Sequence, residues 1–344
     1  MTEPEGNESD ISGDEECVVW RELDVIRWMR HISKWELHCH VHDPETGKNF
    51  TLIKLNKKAY LENFERLIKE KGEWKNESEI PVLAAKEFQK VSQAFKERYE
   101  RILALPPHPA FPKIFTLDRE RGTEDLYVEM EHVEGKSFLH FTAGLNPFQI
   151  LGLARDLLEG LAFLHQQDIF HRRIKSENIC CALEGLKPKA RFATWGLAIP
   201  PGQAQEDRAG AAYYMAPEVL SGGKITAQSD LWSVGALLYN ALTGGPAFPE
   251  RGAAKNLREL KNIAQDEKRP DGLMAFNYFQ KLPPLIAEKL KTERLQELLD
   301  NLLKSDPAER PFASAIAVLG FLQTHWPKLF TAAGEFYETI SLSV

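Results

Sequence analysis

Alternating apolar and polar residues predict strands in the first part of the chain. The stretch WELHCHVHD alternates strictly, with apolar residues on one face and histidines on the other: Leu37, Cys39 and Val41 against His38, His40 and His42. Turn residues follow in DPETGKN, and FTLIKL then supplies a second strand. We therefore predict a hairpin with a buried apolar face and a solvated histidine face. A strand rises about 3.3 Å per residue, so three histidines of this strand do not share one metal ion.

Apolar residues at three- and four-residue steps predict helices along the rest of the chain. One long helix in the first half ends before Pro106, and its stripe consists of Ala84, Phe88, Val91, Phe95, Tyr99 and Ile102. DLYVEMEHVEG is typical of a strand that leads into a turn. Asn146, a good N-cap, and Pro147 open a mainly helical second half. Within it, SDLWSVGALLYNALTGG is apolar on nearly every side, as expected of a helix in the middle of a lobe.

Composition and charge limit the classes of function. Of the 344 residues, 43% are hydrophobic and 27% are charged, which is typical of a soluble globular chain. The apolar runs fall short of the ~20 residues of a membrane span, and no secretory signal opens the chain. The four cysteines do not suggest a disulfide framework, so we expect a cytoplasmic protein. The net charge of -7 argues against nucleic acid or an anionic membrane as the main partner.

Residues 1–17 differ from the rest in composition. They hold seven acidic residues and no basic one, and they offer little apolar area to bury. We therefore predict a disordered acidic tail. The alternative interpretation is a docking segment for a basic partner.

Several motifs occur in the order found in one enzyme family. LLEGLAFLHQQDIFHRRIKSENI is similar to a long helix and catalytic loop, ATWGLA to the DFG segment, YYMAPE to the APE segment, and DPAERP to a late arginine motif. Together they resemble the eukaryotic-type protein kinase family. The resemblance implies an α+β, bilobal fold. A small antiparallel-sheet N-lobe with one long helix is expected over residues 18–135, a larger and mainly helical C-lobe over 136–330, and a C-terminal tail over 331–344.

The resemblance also assigns residues that would contact a nucleotide. Lys54 in TLIKL is similar to the lysine that pairs with phosphate, and LYVEMEHVEG is similar to the strand and hinge that hold adenine. The implied nucleotide-binding residues are Lys54, Met130, Glu131, Val133, Lys175 and Asn178. Asn178 matches the family's asparagine ligand of magnesium and is a weak metal candidate, and we expect no other metal site.

The residues that would carry the chemistry depart from the family. Arg173 stands at the position of the catalytic base, and a guanidinium accepts no proton at physiological pH. Thr194 stands at the position of the DFG aspartate, and a neutral hydroxyl does not replace a carboxylate as the main ligand of a hard dication. Tyr99 falls at the position of the helix glutamate that pairs with the lysine. The positions of the three loop glycines hold Arg30, Ile32 and Trp35.

The residues that build the helical lobe are kept. Asp230 matches the aspartate that anchors the catalytic-loop backbone, and Glu218 and Arg310 match a buried ion pair. Arg172 matches the arginine that grips a phosphate on the family's activation loop. Residues 197–219 contain no serine or threonine that would carry such a phosphate.

We therefore expect a catalytically inactive kinase homologue, a pseudokinase, that acts as a scaffold or regulator by binding a protein such as an active kinase or a signalling complex. No cofactor is expected. The alternative is an ATP-binding kinase with weak or atypical Ser/Thr phosphotransferase activity, in which ATP binds without normal magnesium coordination. A third interpretation is a receptor for another anion or a peptide at the basic patch of Arg172, Arg173 and Lys175.

Overall fold

A computed structural model describes residues 24–33, 36–71, 77–120, 122–196, 212–254, 259–260, 262–263 and 290–331. The predicted acidic tail over 1–17 lies outside the described residues, as do residues 332–344 of the predicted C-terminal tail. Of the three glycine-loop positions, Trp35 also lies outside them, whereas Arg30 and Ile32 belong to a described strand.

The N-lobe contains a five-stranded antiparallel sheet in the order β1-β2-β3-β5-β4. Its strands are β1 Asp24–Ser33, β2 Glu36–Asp43, β3 Lys48–Leu55, β4 Ile114–Arg119 and β5 Leu126–Glu131. Ser33 pairs with Glu36, so only two residues of the chain separate the paired ends of β1 and β2. The predicted hairpin of β2 and β3 is confirmed, and Gly47 in its turn has a φ of 66°, which favours glycine.

Two helices belong to the N-lobe. Helix α2, Ile80–Leu103, is the predicted long helix, and it ends before Pro106 as expected. Helix α1, Lys57–Lys71, is not predicted from the sequence; it packs on α2, with the rings of Tyr60 and Phe88 5.4 Å apart. The oxygen of the Asn56 side chain accepts a hydrogen bond at 2.8 Å from the N–H of Ala59 and so caps the start of α1.

The C-lobe is mainly helical, as predicted. Its described helices are α3 Phe138–Thr142, α4 Pro147–Gln166, α5 Pro217–Leu220, α6 Ala227–Thr243, α7 Thr292–Leu302 and α8 Ala315–His325. A small sheet of β6 Lys136–Ser137, β7 Ile179–Glu184 and β8 Lys187–Phe192 accompanies them. Asn146 caps α4 through the N–H of Gln149, and Gln149 returns a bond to the N–H of Asn146. Helix α6 ends at Gly244, whose φ is 79°.

One hydrophobic core runs from the sheet of the N-lobe through α2 into α4 and α6. The expected bilobal α+β fold is therefore confirmed, with a second helix beside the long one in the N-lobe. In the part of the chain that the structure describes, no helix combines the length and apolar character needed to cross a membrane.

The predicted burial of the apolar face of β2 is confirmed, since Cys39 and Val41 are buried, but the histidine face is not solvated as predicted, because it turns toward the main core. His38 is 4% exposed and pairs across the strands with Ile53, which belongs to the main core. The other face carries a small separate cluster of Cys39, Val41, Leu52 and Tyr127. Alternation decides which residues share a face of a strand, but it does not decide which face meets the rest of the protein.

Candidate functional site in the interlobe cleft

The loop between α4 and β7 corresponds to the catalytic loop of the family, and Asp230 of α6 holds its backbone. The carboxylate of Asp230 accepts hydrogen bonds from the N–H groups of His171 at 2.7 Å and Arg172 at 2.8 Å. Nε2 of His165 lies 3.0 Å from the same carboxylate. Arg172 has a φ of 66°, a left-handed conformation that costs free energy for a residue with a side chain. Asp230 therefore stabilises a backbone shape that the loop alone would not favour.

His171 joins this loop to the segment after β8 and is fully buried. Its Nε2 lies 3.3 Å from the carbonyl oxygen of Thr194, and its Nδ1 accepts a bond from the N–H of Arg173 at 3.4 Å. These two contacts fit the neutral ring with its proton on Nε2. Burial lowers the pKa of His171 to about 4, although the charge of Asp230 opposes this effect. The ring is therefore uncharged at physiological pH.

Arg173, which the resemblance places at the position of the catalytic base, is 8% exposed. Its carbonyl oxygen accepts a bond at 2.7 Å from Nδ2 of Asn178, so the side chain of Asn178 holds the loop. Lys175 on the same loop is 6% exposed. A guanidinium stays protonated and offers only donors. The loop thus presents a fixed positive charge where proton abstraction from a hydroxyl would require a carboxylate.

The segment from Thr194 to Gly196 packs inward. Thr194 is 8% exposed, and its hydroxyl oxygen accepts a bond from the N–H of Gly196 at 3.3 Å. The indole of Trp195 donates to the carbonyl of Pro112 at 2.8 Å and stacks on Phe111, with ring centroids 4.5 Å apart. Gly196 has a φ of 66°, and a side chain there would collide with the catalytic loop. The segment offers a buried hydroxyl and an indole where magnesium would need a carboxylate.

Four polar side chains of the N-lobe lie close together, and the charge of Arg173 from the C-lobe acts on three of them. We call these five residues the cleft cluster: Glu36, His38, Arg98, Tyr99 and Arg173. Nε2 of His38 lies 3.4 Å from Oε1 of Glu36, and Nη1 of Arg98 lies 3.7 Å from the same oxygen. The guanidinium of Arg98 lies 5.5 Å from the ring centre of Tyr99. Glu36 is 5% exposed. Strand β2 and helix α2 therefore bring opposite charges together at a buried position, within electrostatic reach of Arg173 on the catalytic loop.

Electrostatics explain why the cleft cluster holds an ionised carboxylate. Burial acts to raise the pKa of Glu36, but the hydrogen bond from His38 and the charges of Arg98 and Arg173 outweigh it, so the pKa lies below its ordinary value. Burial lowers the pKa of His38 more strongly than Glu36 raises it, so His38 donates as a neutral ring. Burial, and then the charge of Glu36, raise the pKa of Tyr99. The five side chains thus carry one negative and two positive charges.

Lys54, which the resemblance assigns to a nucleotide, lies on the face of the sheet opposite the main core, where it pairs with carboxylates. Its Nζ donates to a carboxylate oxygen of Glu120 at 2.8 Å and lies 3.1 Å from a carboxylate oxygen of Asp125, both near the turn between β4 and β5. It lies opposite Tyr127, which belongs to the outer cluster of the sheet. Because side chains alternate across a strand, the cleft side of β3 carries the neighbour of Lys54, Ile53.

Ile53 occupies the inward-facing position of β3 that a phosphate-pairing lysine would require. It is 1% exposed and belongs with Tyr99 to the main core. Its cross-strand partners are His38 of β2 and Val128 of β5. On the side of β3 that packs toward α2, the structure therefore places an aliphatic side chain in the core that Tyr99 shares.

The predicted hinge residues Met130, Glu131 and Val133 make contacts within the protein. Met130 is fully buried and Val133 is 5% exposed. The N–H of Glu131 donates to the carbonyl of Lys113 at 2.8 Å, and its carboxylate accepts two bonds from Arg191, at 2.7 and 2.9 Å. The bonds from Arg191 lower the pKa of Glu131. Glu131 thus ties the hinge to β8 on the outer side of the sheet.

His132 in the hinge turns its ring toward the cleft side of β2 and β3. The ring stacks on His40, with centroids 3.4 Å apart and 20° between the planes. Its Nδ1 lies 3.1 Å from Oγ1 of Thr51, the cross-strand partner of His40. Burial, and then the charge of His40, lower the pKa of His132. The ring of His132 therefore packs against the face of the β2–β3 hairpin that carries His40 and Thr51, next to the hinge.

Glu218 and Arg310 form a buried, two-pronged ion pair in the C-lobe. Two nitrogens of Arg310 donate to the two carboxylate oxygens of Glu218, each at 2.8 Å. Ser229 donates to Glu218 at 2.9 Å, and the guanidinium lies 4.9 Å from the ring centre of Trp232. Burial acts to raise the pKa of Glu218, but the bonds and charge of Arg310 bring it below its ordinary value. The pair joins α5 to the segment before α8.

Sequence reasoning does not find four residues of the cleft: Glu36, His40, Arg98 and His132. The stretch FTLIKL contains a signal for the inner face. Ile53 and Leu55 share one face of the strand with Thr51, and toward the end of the strand this face is the more apolar one. Taking that face as the inner one places Glu36 inward through the register of the hairpin. His132 stands in the quoted hinge stretch, but a lone histidine there gives no sign of its stacking partner.

The two lobes and the aspartate-anchored loop between them define a protein-kinase-like domain. The family described as Protein kinase domain matches residues 73–322, more than two thirds of the chain. The chain therefore belongs to the eukaryotic-type protein kinase family. The match begins after β3, so it leaves out the strands in which the glycine loop and the phosphate-pairing lysine would lie.

Relatives of the chain are named as protein kinases. Serine/threonine-protein kinase PAK mbt of Drosophila melanogaster is 27% identical over 210 residues, which cover 59% of this chain and 30% of that protein. Serine/threonine-protein kinase atg1 of Dictyostelium discoideum is 32% identical over 168 residues, covering 47% and 25%. Cyclin-dependent kinase F-4 of Oryza sativa subsp. japonica is 27% identical over 289 residues, covering 75% and 61%. The matched region thus spans from a quarter to about three fifths of these relatives.

Proposed function

We propose that this protein kinase domain does not transfer phosphate and acts by binding another protein. The observation that carries the proposal is the buried cation at the base position: Arg173 is 8% exposed and acts electrostatically on Glu36. Kinases of this family work by positioning and electrostatics, so the sign of the charge at this position is decisive. Loss of the base alone would slow transfer by about 10²–10⁴.

The remaining cleft residues do not fit a magnesium nucleotide. Thr194 supplies a hydroxyl that is bonded to the N–H of Gly196. Ile53 takes the cleft side of β3, and the ring of His132 lies against the sheet beside the hinge. Without a carboxylate ligand the developing charge on phosphate loses its main neutraliser. We therefore propose that the protein works without a nucleotide cofactor or metal ion.

A protein partner, such as an active kinase or a signalling complex, is the proposed ligand. The support is the contrast between a complete framework and an incomplete chemistry: Asp230, Glu218 and Arg310 all make the bonds that shape the C-lobe. A domain that keeps its shape without its chemistry is suited to recognition. The net charge of -7 favours a protein over nucleic acid or an anionic membrane.

A second candidate function is an ATP-binding kinase with weak Ser/Thr phosphotransferase activity. Asn178 and Lys175 of the catalytic loop favour it, as do the named relatives, which are kinases. The inward turn of His132 and the outward turn of Lys54 count against it.

Phosphate transfer from labelled ATP tests the two candidates directly. The purified chain, with magnesium and a general protein substrate, should label neither itself nor the substrate above the level of Asn178→Ala. Lys54→Ala is the matched control, because it removes a lysine outside the cleft. Labelling that is lost in Asn178→Ala and kept in Lys54→Ala would overturn the proposal.

Thermal unfolding with ATP tests nucleotide binding. A ligand at 100 times its Kd stabilises the folded state by about 2.7 kcal/mol, which a thermal shift detects readily. We expect no shift that depends on magnesium. A magnesium-dependent shift, reduced in Asn178→Ala, would favour the second candidate.

A further inference from the structure

We propose that a pocket behind the hinge binds a short segment of a partner protein in which a lysine or arginine stands near an apolar side chain. The pocket has a volume of about 480 Å³, and we call it the rear pocket. Residues of both lobes line it, among them Lys48, Phe50, Phe115, Glu134, Ala182 and Glu184. The inference rests on the proposed function, because it describes the partner that a domain acting by protein binding would take.

The rear pocket lies on the outer side of the sheet, away from the cleft cluster. Phe50 packs against the outer cluster that includes Tyr127, whereas Ile53 of the same strand belongs to the main core. The rings of Phe50 and Phe115 meet edge to face, with centroids 5.7 Å apart. Phe50 pairs across the strands with Glu131 of the hinge. The pocket is therefore a site separate from the one that the family uses for its chemistry.

The apolar part of the rear pocket is open to a ligand. Phe115 is 45% exposed, although a phenyl ring gains free energy when it is covered. Ala182 of β7 lies half-buried on the opposite wall. A concave site of several hundred Å³ with an aromatic wall and a few polar groups is typical of ligand pockets. The space suits an aliphatic or aromatic side chain.

The cations of the C-lobe wall are already paired within the protein. Arg191 donates to both carboxylate oxygens of Glu131, at 2.7 and 2.9 Å. Nζ of Lys189 lies 3.2 Å from a carboxylate oxygen of Asp156. These two cations are therefore poorly placed to receive an anion from a partner.

Two carboxylates of the rear pocket are left for a partner. Glu134 in the hinge and Glu184 on β7 are both exposed, and neither forms an ion pair with any residue that the structure describes. Lys48 at the N-lobe end is likewise exposed without an ion pair among those residues. The unpaired charges of the pocket thus sum to one negative charge, and its lower rim is acidic. Charge complementarity favours a cationic side chain there and disfavours phosphate groups.

Peptide arrays test the rear pocket. Each peptide carries arginines and leucines at varied spacing in a background of glycine and serine, and matched arrays replace arginine by glutamate or leucine by serine. The purified chain should bind the arginine–leucine array. In solution, measured by fluorescence anisotropy, the best peptide should bind about tenfold more tightly than either matched version, because it alone supplies both the charge and the apolar side chain.

Two variants separate the apolar contact from the charges. Phe115→Ser should weaken binding of the best peptide by about tenfold or more, because the exposed ring is the main apolar wall. Glu134→Gln combined with Glu184→Gln should weaken it by about three- to tenfold at low salt and by less at high salt.

Ile316→Ser and Glu309→Gln are the matched controls. Ile316 is 53% exposed and Glu309 is exposed, and neither lines the rear pocket. Both variants should bind the best peptide as wild type does. Binding that the rear-pocket variants leave unchanged would overturn the proposal, as would equal binding to the glutamate array or no binding to any array.

Phosphate transfer from labelled ATP, measured on the same preparations, distinguishes this proposal from the proposed function. Transfer by a chain that also binds the peptide at the rear pocket would refute the proposed function alone. A chain that neither transfers phosphate nor binds any array would refute the rear pocket alone, and a partner would then dock elsewhere.

Discussion

The frame beneath the cleft and the cleft itself use charge in opposite ways. In the frame, Asp230 accepts bonds from backbone N–H groups, and Glu218 meets Arg310 in a two-pronged pair. These charges fix the shape of the catalytic loop and the late helices. In the cleft, Glu36 and Arg173 are buried charges that act on each other, and they are not arranged to serve a substrate, a metal ion or a base. The comparison teaches that the machinery which positions a catalytic loop is separable from the groups that react.

The largest expected effect lies in the frame. Arg310→Met leaves Glu218 buried without its cation, and we expect it to lower the free energy of unfolding by about 3–5 kcal/mol. Urea unfolding followed by circular dichroism measures this loss. Arg294→Met is the control, since Arg294 pairs with Glu297 on an exposed helix surface and its loss should stay within about 0.5 kcal/mol. Similar losses in the two variants would show that the ion pair of Glu218 and Arg310 does not stabilise the C-lobe more than an exposed pair does.

Acidification should produce the next largest effect, through His171, which links the loop to the DFG segment. Its pKa is about 4 in the folded protein against 6.5 ordinarily, so between these values the unfolded chain binds a proton that the folded chain does not. The contribution of the neutral His171 ring to the free energy of unfolding is therefore present above pH 6.5 and is lost as the pH falls toward 4. His171 alone should account for about 2 kcal/mol between pH 7 and pH 5, which urea unfolding at the two pH values measures. In His171→Gln the loss should be smaller, and an unchanged loss would contradict a buried neutral ring.

Lys54→Met should produce a smaller loss and should not alter the cleft. The partly exposed Glu120 and the buried Asp125 would be left without the ammonium group they share, so we expect a loss of about 1–2 kcal/mol by urea unfolding. The thermal response to ATP should equal that of wild type. A nucleotide response present in wild type and lost in this variant would place Lys54 back in the cleft.

Introducing carboxylates at the two positions that the proposal regards as degraded should have the smallest effect of all. Arg173→Asp combined with Thr194→Asp should give no phosphate transfer from labelled ATP, because Ile53 still takes the lysine's side of β3 and His132 still fills the space beside the hinge. Measurable transfer by this double variant would show that base and metal ligand are all the cleft lacks, and the comparison would lose its second half.

The sequence predicts the frame better than the cleft, for a physical reason. Helices such as α4 carry their own signals, namely the Asn146 cap, Pro147 and a spaced apolar stripe. The cleft depends on which face of a two-stranded hairpin turns inward, and both faces of β3 carry aliphatic residues, Leu52 on one and Ile53 on the other. If the inward face of β3 is chosen one residue out, Lys54 is placed in the site although the structure places Ile53 there. Helix α1 is not predicted because it matches none of the family motifs found in the sequence. Its packing on Phe88 is a tertiary contact, which the local pattern of residues does not reveal.

The fork of Arg191 behind the hinge bears on the thermodynamics of recognition. Besides its bonds to Glu131, Arg191 donates to the carbonyl oxygens of Pro109 and Phe111, at 2.9 and 3.1 Å. One guanidinium therefore connects three stretches of chain, namely β8, the hinge and residues 109–111. A surface braced in this way has little freedom left to lose when a partner docks across it. A partner that contacted this surface would therefore meet a nearly rigid backbone, with a small entropic penalty and backbone shifts below about 1 Å.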